Sequence, residues 1–187
     1  SDCVYILYVG ALIEYNGIRT MLEAFSGLSQ HNVRLLIYGN GPDRHVVEEF
    51  AENDARIKYH GLLDNSKVVA LQKQVSFLIN PRPANDFISR VTFPSKLFEY
   101  WMSETPVLST RLNSLVSDFP EYVNFIGDDV AGMSEDLNRY LTRDYQSLKE
   151  KATVVKKYIL EQYNWNVHAS AIMNFIKEQR NPSKKKA

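Results

Sequence analysis

A chain of 187 residues has room for one domain with a substantial core, and shares of 44% hydrophobic and 24% charged residues are those of a globular protein. Lysine plus arginine balances aspartate plus glutamate at 22 each, which excludes a global basic field for nucleic acid. Cys3 is the only cysteine, and His31, His45, His60 and His168 lie far apart, so neither an internal disulfide nor a structural metal is expected.

Short apolar, β-branched or aromatic runs read, in chain order, as buried parallel strands at Val4–Val9, Val33–Tyr38, Ile57–Tyr59, Val75–Ile79, Pro106–Ser109 and Tyr122–Ile126. Stretches with helical spacing lie between most of them. Ile18, Met21, Leu22, Phe25 and Leu28 share one face, as do Val46, Val47 and Phe50, then Val68, Val69 and Leu71, then Leu97, Phe98, Trp101 and Met102. This alternation predicts an α/β fold: a Rossmann-like parallel sheet of about six strands with helices on both faces. Past about Val130 only helices are expected, at Ala131–Leu141, Tyr145–Gln162 and about Val167–Gln179. Residues 1–180 then form a single domain, and 181–187 a short basic tail.

No apolar run reaches the roughly eighteen residues of a membrane-crossing helix. The start, SDCVYILYVG, has no basic region ahead of a long apolar stretch, unlike a signal peptide, and no initiator methionine. It reads as a piece of something longer, although processing would leave the same start. Cytoplasmic placement is the expectation.

In an open α/β sheet ligands sit at the carboxyl ends of the strands, near helix N-termini that attract anions. Gly10 follows the first strand without the spacing of a dinucleotide fingerprint or a phosphate loop, which disfavours a nicotinamide cofactor. Gly39-Asn40-Gly41-Pro42-Asp43 follows the second strand; its N–H groups suit an anion and Asp43 a helix cap, but taken alone it reads as a turn plus a cap. The connection Asn80–Thr92 is long enough to be functional, and it leads into FPSKLFEYWM. There Pro94 suits a first helical turn, with Thr92 or Phe93 at the cap, and free N–H groups are expected around Ser95, Lys96 and Leu97. Lys96 and Glu99 fall on one face, where they suit a phosphate and a ribose diol; an ordinary surface pair is the competing reading.

The blocks YVGALIEYNGIRTMLEAF, LLIYGNGP, RIKYHGLLDNSKVVALQKQVSFLINPRP and FPSKLFEYWMSETPVLST resemble, in this order, the donor domain of family-four glycosyltransferases of the GT-B fold. The likeness is greatest to bacterial enzymes of capsule, exopolysaccharide or O-antigen assembly with an FPSK-x-x-EY segment. It implies that Glu99 is the second glutamate of an E-x7-E motif and binds the donor ribose. Pro94, Ser95, Lys96 and Leu97 then hold the distal phosphate, Gly10 faces the phosphates, Gly39 and Gly41 border the nucleotide, and Gly61, Leu62 and Leu63 mark where the base packs. Val91 stands where the first glutamate belongs, with Asn85 or Asp86 as stand-ins, and Ala11 and Asn16 stand where the usual phosphate-binding arginine and lysine belong. Arg82, Arg90 and Lys96 are the replacement cations; Arg90, just before the phosphate-binding turn, is preferred over its reading as a solvated loop arginine.

The resemblance implies a retaining hexosyltransferase that moves a sugar from a nucleotide-diphosphate sugar to a hydroxyl in polysaccharide biosynthesis. No cofactor or metal is called for, and no DxD pair is present. Its partners would be an N-terminal acceptor domain, not in this chain, and a lipid-linked acceptor at the inner face of the plasma membrane. The 187 residues alone are expected to bind donor without turnover. A degenerate nucleotide-binding scaffold subunit and one half of a split transferase are the alternatives.

Overall fold

The computed structural model describes residues 3–85 and 87–180, so Asp86 and the basic tail lie outside the described residues. β1(Val4–Val9), β2(Val33–Tyr38), β3(Ile57–Tyr59), β4(Phe77–Asn80), β5(Val107–Thr110) and β6(Asn124–Ile126) form one sheet in the order β3-β2-β1-β4-β5-β6. Every pairing is parallel. Alternation decides which side each residue faces. Val33, Leu35 and Ile37 enter one apolar layer, while Leu36 and Tyr38 face the other.

The first layer is closed by α1(Ile18–Ser26), α2(Arg44–Asn53) and α7(Val130–Thr142), through Met21, Leu22, Phe25, Val46, Val47, Met133 and Leu137. The second holds α5(Lys96–Met102), α6(Asn113–Asp118) and α8(Tyr145–Gln162), through Leu97, Tyr100, Trp101, Leu115, Val155 and Ile159, with Leu71 of α3(Asn65–Gln72) packed against it. α4(Phe87–Val91) interrupts the long connection after β4, and α9(Trp165–Arg180) ends the chain. No helix among the described residues is long and apolar enough to cross a membrane.

The first three strands and α8 keep their expected bounds. β4 begins two residues later than expected, at Phe77, although Ser76 already donates to the Tyr5 carbonyl at 2.9 Å. β5 begins after Pro106, which has no N–H for the ladder but accepts from Leu78 through its carbonyl. β6 begins at Asn124 because Tyr122 closes a turn onto Phe119.

The strand order runs outward in both directions from β1 and β4. β1 pairs with β2 along its whole length but with β4 only at Ile6 and Leu7. The carboxyl ends of β1 and β4 therefore part, and a crevice opens at this topological switch point.

Candidate functional site

The crevice is a cavity of about 340 Å³. Its walls are the end of β1 (Tyr8, Val9, Gly10, Ala11, with Asn16 after it), the end of β4 (Ile79, Asn80, Arg82), and the approach to α5 with its first turns (Phe93 to Leu97, and Tyr100). Tyr100 fixes α5 against β1: the Val9 N–H donates to its hydroxyl at 3.3 Å, and the hydroxyl donates to the Val9 carbonyl at 3.2 Å. These are backbone groups that β4 no longer pairs, since the ladder between β1 and β4 stops at Leu7. Burial pushes the Tyr100 and Tyr8 phenols well above their ordinary range, so both remain neutral. Tyr8 and Asn16 both donate to the Ala11 carbonyl, each at 2.9 Å. In the places of the arginine and lysine usual in the resembled family, the site thus has a methyl group and an amide turned back on its own loop.

Positive charge comes from two other places. Lys96 is half-buried on the cavity wall, and its ammonium makes no hydrogen bond or ion pair with the described residues. Desolvation holds its pKa below the ordinary lysine value, with the Glu99 charge opposing the shift. Arg82 is 9% exposed; its Nε donates to Ser89 Oγ and its Nη2 to Thr92 Oγ1, both at 2.9 Å. Its guanidinium lies 4.2 Å from the Tyr15 ring centroid. Arg90, the preferred cation of the sequence reading, is exposed on α4 and does not line the cavity. That preference is corrected: Arg82 follows β4 by two residues and is held at the crevice, whereas α4 carries Arg90 away from it.

The start of α5 also differs in detail. The cap position falls on Ser95, with no side-chain cap bond, rather than on Thr92 or Phe93. Leu97 N–H is taken by the Pro94 carbonyl at 2.9 Å, so the N–H groups without an acceptor among the described residues are those of Ser95 and Lys96. Asp43 holds the cap position of α2, but its side chain makes no cap bond. Glu99 does not line the cavity; it sits beside it, half-buried, accepting from Gln72 Nε2 on α3.

A second recess of about 260 Å³ adjoins the first through Val9, Gly10 and Ala11, and is completed by Tyr38, Gly39, Asn40, Leu62 and Leu63. Gly39 has φ 152°, and a Cβ there would stand 1.8 Å from the Gly10 carbonyl oxygen. The close approach of the β1 and β2 ends needs a glycine, whatever the recess holds. Gly41 lines neither space; a Cβ on it would meet the Leu12 carbonyl at 2.2 Å, so its reason is backbone packing. Gly61 borders a third, outer hollow with His60 and Leu62, and Leu62 is 76% exposed. Asn85 is exposed; Asp86 and the side chain of Val91 lie outside the described residues.

The family described as Glycosyl transferases group 1 matches residues 3–143. The chain belongs to that family. No curated protein matches it in sequence. Among solved structures this group 1 transferase chain is similar to sucrose-phosphate synthase from Thermosynechococcus elongatus (18% identity, TM-score 0.71), covering 97% of its own length and 46% of that chain. It is similar also to the catalytic domain of cholesterol-alpha-glucosyltransferase from Helicobacter pylori (12%, 0.69), over 86% and 99% of the two chains. A third is the C-terminal domain of a glycosyl transferase group 1 family protein from Francisella tularensis (14%, 0.65, 87% of each). At these identities the shared property is the GT-B type of fold. The chain spans less than half the length of the sucrose-phosphate synthase. Sequence reasoning about this family member passed over Tyr8, Tyr100 and Gln72. Tyr8 and Tyr100 have the strand-end and helix-start positions that gave the other candidates; nothing in the sequence separated Gln72 from a surface glutamine.

Proposed function

We propose that this chain is the donor-binding, C-terminal half of a retaining glycosyltransferase that uses a nucleotide-diphosphate sugar. The observation that carries the reading is the Lys96 ammonium, half-desolvated on the wall of a cavity at the switch point of the sheet, with the Tyr100 ring 6.0 Å away but no hydrogen bond or ion pair among the described residues. A cation left in this condition is stabilised by an anion that brings its own charge. A diphosphate in the cavity would meet Lys96 and Arg82 together with the Ser95 and Lys96 N–H groups. Departure of the diphosphate from the sugar develops negative charge where these donors already stand, and preorganised donors lower that barrier without a protein nucleophile. The base would occupy the second recess against Leu62 and Leu63. Glu99, one turn into the helix whose start lines the cavity, would accept hydrogen bonds from the ribose hydroxyls.

The similarity to a solved C-terminal domain of a family member supports the assignment to a C-terminal half. The acceptor, an oligosaccharide or lipid-linked sugar of bacterial surface polysaccharide assembly at the inner face of the membrane, would bind an N-terminal partner domain, so the 187 residues alone bind donor without turnover. Arg82 and Lys96 at the cavity weigh against a degenerate scaffold. Calorimetry with UDP, GDP and ADP tests the reading: one of them binds with micromolar-to-millimolar affinity, and Glu99→Ala weakens it. Absence of heat with all three overturns it.

A further inference from the structure

Gln72 is the last residue of α3, and its amide has no exposure to solvent. Its Nε2 donates to Oε1 of Glu99, while its own Oε1 has no hydrogen-bond partner among the described residues. The preceding residue, Leu71, packs against the apolar layer of Leu97, Tyr100 and Trp101. The orphaned Oε1 is a cost to the fold, while the Nε2 bond satisfies one oxygen of a half-buried carboxylate. What the amide does is hold one oxygen of a carboxylate that stands between the cavity-lining residues Lys96 and Tyr100. Glutamate has three side-chain torsions, and a half-buried one without an anchor samples several rotamers. With Oε1 held from α3, the plane of the carboxylate is set. Oε2 keeps its lone pairs and has no hydrogen-bond partner among the described residues.

Building on the proposal that Glu99 takes the donor ribose, we infer that Gln72 is a positioning residue that aims the Glu99 carboxylate at the ribose hydroxyls. It touches neither sugar nor phosphate and acts through Glu99 alone. The effect is thus confined to ligands that carry those hydroxyls.

The test compares, in the 187-residue chain, the best-bound of UDP, GDP and ADP with its counterpart lacking both ribose hydroxyls. The unaltered chain prefers the ribose form by about 10-fold or more, the range for hydrogen bonds to a charged acceptor. Gln72→Met narrows this preference by roughly 5-fold and leaves affinity for the counterpart within about twofold. Gln72→Asn, with an amide one methylene short, falls between, and it carries the same comparison should Gln72→Met not fold. A preference unchanged in Gln72→Met but abolished in Glu99→Ala overturns the inference and spares the ribose reading. Equal weakening of both ligands by Gln72→Met shows a merely structural glutamine and also overturns it. A preference that survives Glu99→Ala, or no nucleotide binding at all, overturns the ribose reading and this inference with it.

Discussion

The cavity's character rests on single side chains whose neighbours leave them incompletely satisfied. Lys96 is the clearest: burial disfavours its ammonium, and the folded protein therefore holds the proton less firmly than the unfolded chain does. With a depressed folded pKa the sign is definite. At neutral pH the charged form opposes folding, and the penalty fades as pH rises through the folded pKa toward the ordinary lysine value. Lys96→Met is expected to leave the thermal midpoint at pH 7 unchanged or raised while weakening nucleoside diphosphate binding by about 10- to 100-fold, the range for a hydrogen-bonded charge. Differential scanning calorimetry with and without ligand reads both. A variant that loses stability and binds normally would place the ammonium elsewhere than at an anion. At this scale the sequence was legible where a residue's role follows from its position after a strand. Lys96, Ser95 and Gly10 line the cavity, and the same rule applied to β4 selects Arg82, two residues past Asn80. Arg90 was favoured because it is near the FPSK turn in sequence, but the intervening α4 breaks the link between sequence distance and distance in space.

Elements were read better than the links between them. β1, β2 and β3 were legible because a continuous apolar run bounded by glycine or polar residues has few other ways to be buried. α4 and α6 were not, since five and six residues are too few to repeat an apolar face. Nor does any periodicity reveal the contact that fastens β3 to the turn between α1 and β2. There Arg56 donates to the carbonyls of Ser26, Leu28 and Gln30 at 3.1, 2.5 and 3.0 Å, and Asp54 holds the guanidinium from the other side at 2.7 Å. The Arg56 hydrogen bond lowers the Asp54 pKa, so this carboxylate contributes stability above its unfolded pKa and loses it as pH falls through the folded one. Asp54→Asn is expected to lower the thermal midpoint at pH 7 by roughly 2–4 °C, the shift that about 1 kcal/mol makes in a domain of this size. The gap between the two proteins should close on acidification below the ordinary carboxylate range, in thermal melts recorded across pH. A gap that stays constant with pH would mean that the ion pair is not what Asp54 contributes.

For the molecule as a whole, the line between what packs and what does not falls within the C-terminal helices. α8 buries Leu148, Ala152, Val155 and Ile159 and crosses beside α5, so it helps hold the helix whose start lines the cavity. Its far end joins an aromatic cluster in which Tyr163 meets Phe98 and Phe119 at ring separations of 5.3 and 5.5 Å. Beyond Asn164 burial stops. Every residue from Trp165 to Lys177 is exposed, including Trp165 at 88% and Phe175 at 62%. Helical spacing in the sequence predicted α9 correctly as a helix, because backbone periodicity is local. It could not say whether the apolar face is covered, because that depends on surface elsewhere. Apolar area stabilises a fold only when it leaves water, at about 25 cal/mol per Å², so α9 adds little to the stability of these 187 residues. A chain ending at Asn164 should keep its thermal midpoint within about 2 °C, well inside the shift expected from losing even one well-buried side chain. It should also self-associate less in sedimentation at high concentration, having lost the exposed Trp165, Ile172, Met173 and Phe175. A drop of many degrees would show that α9 folds back onto the domain in solution, and that the packed unit extends past the aromatic cluster at Tyr163.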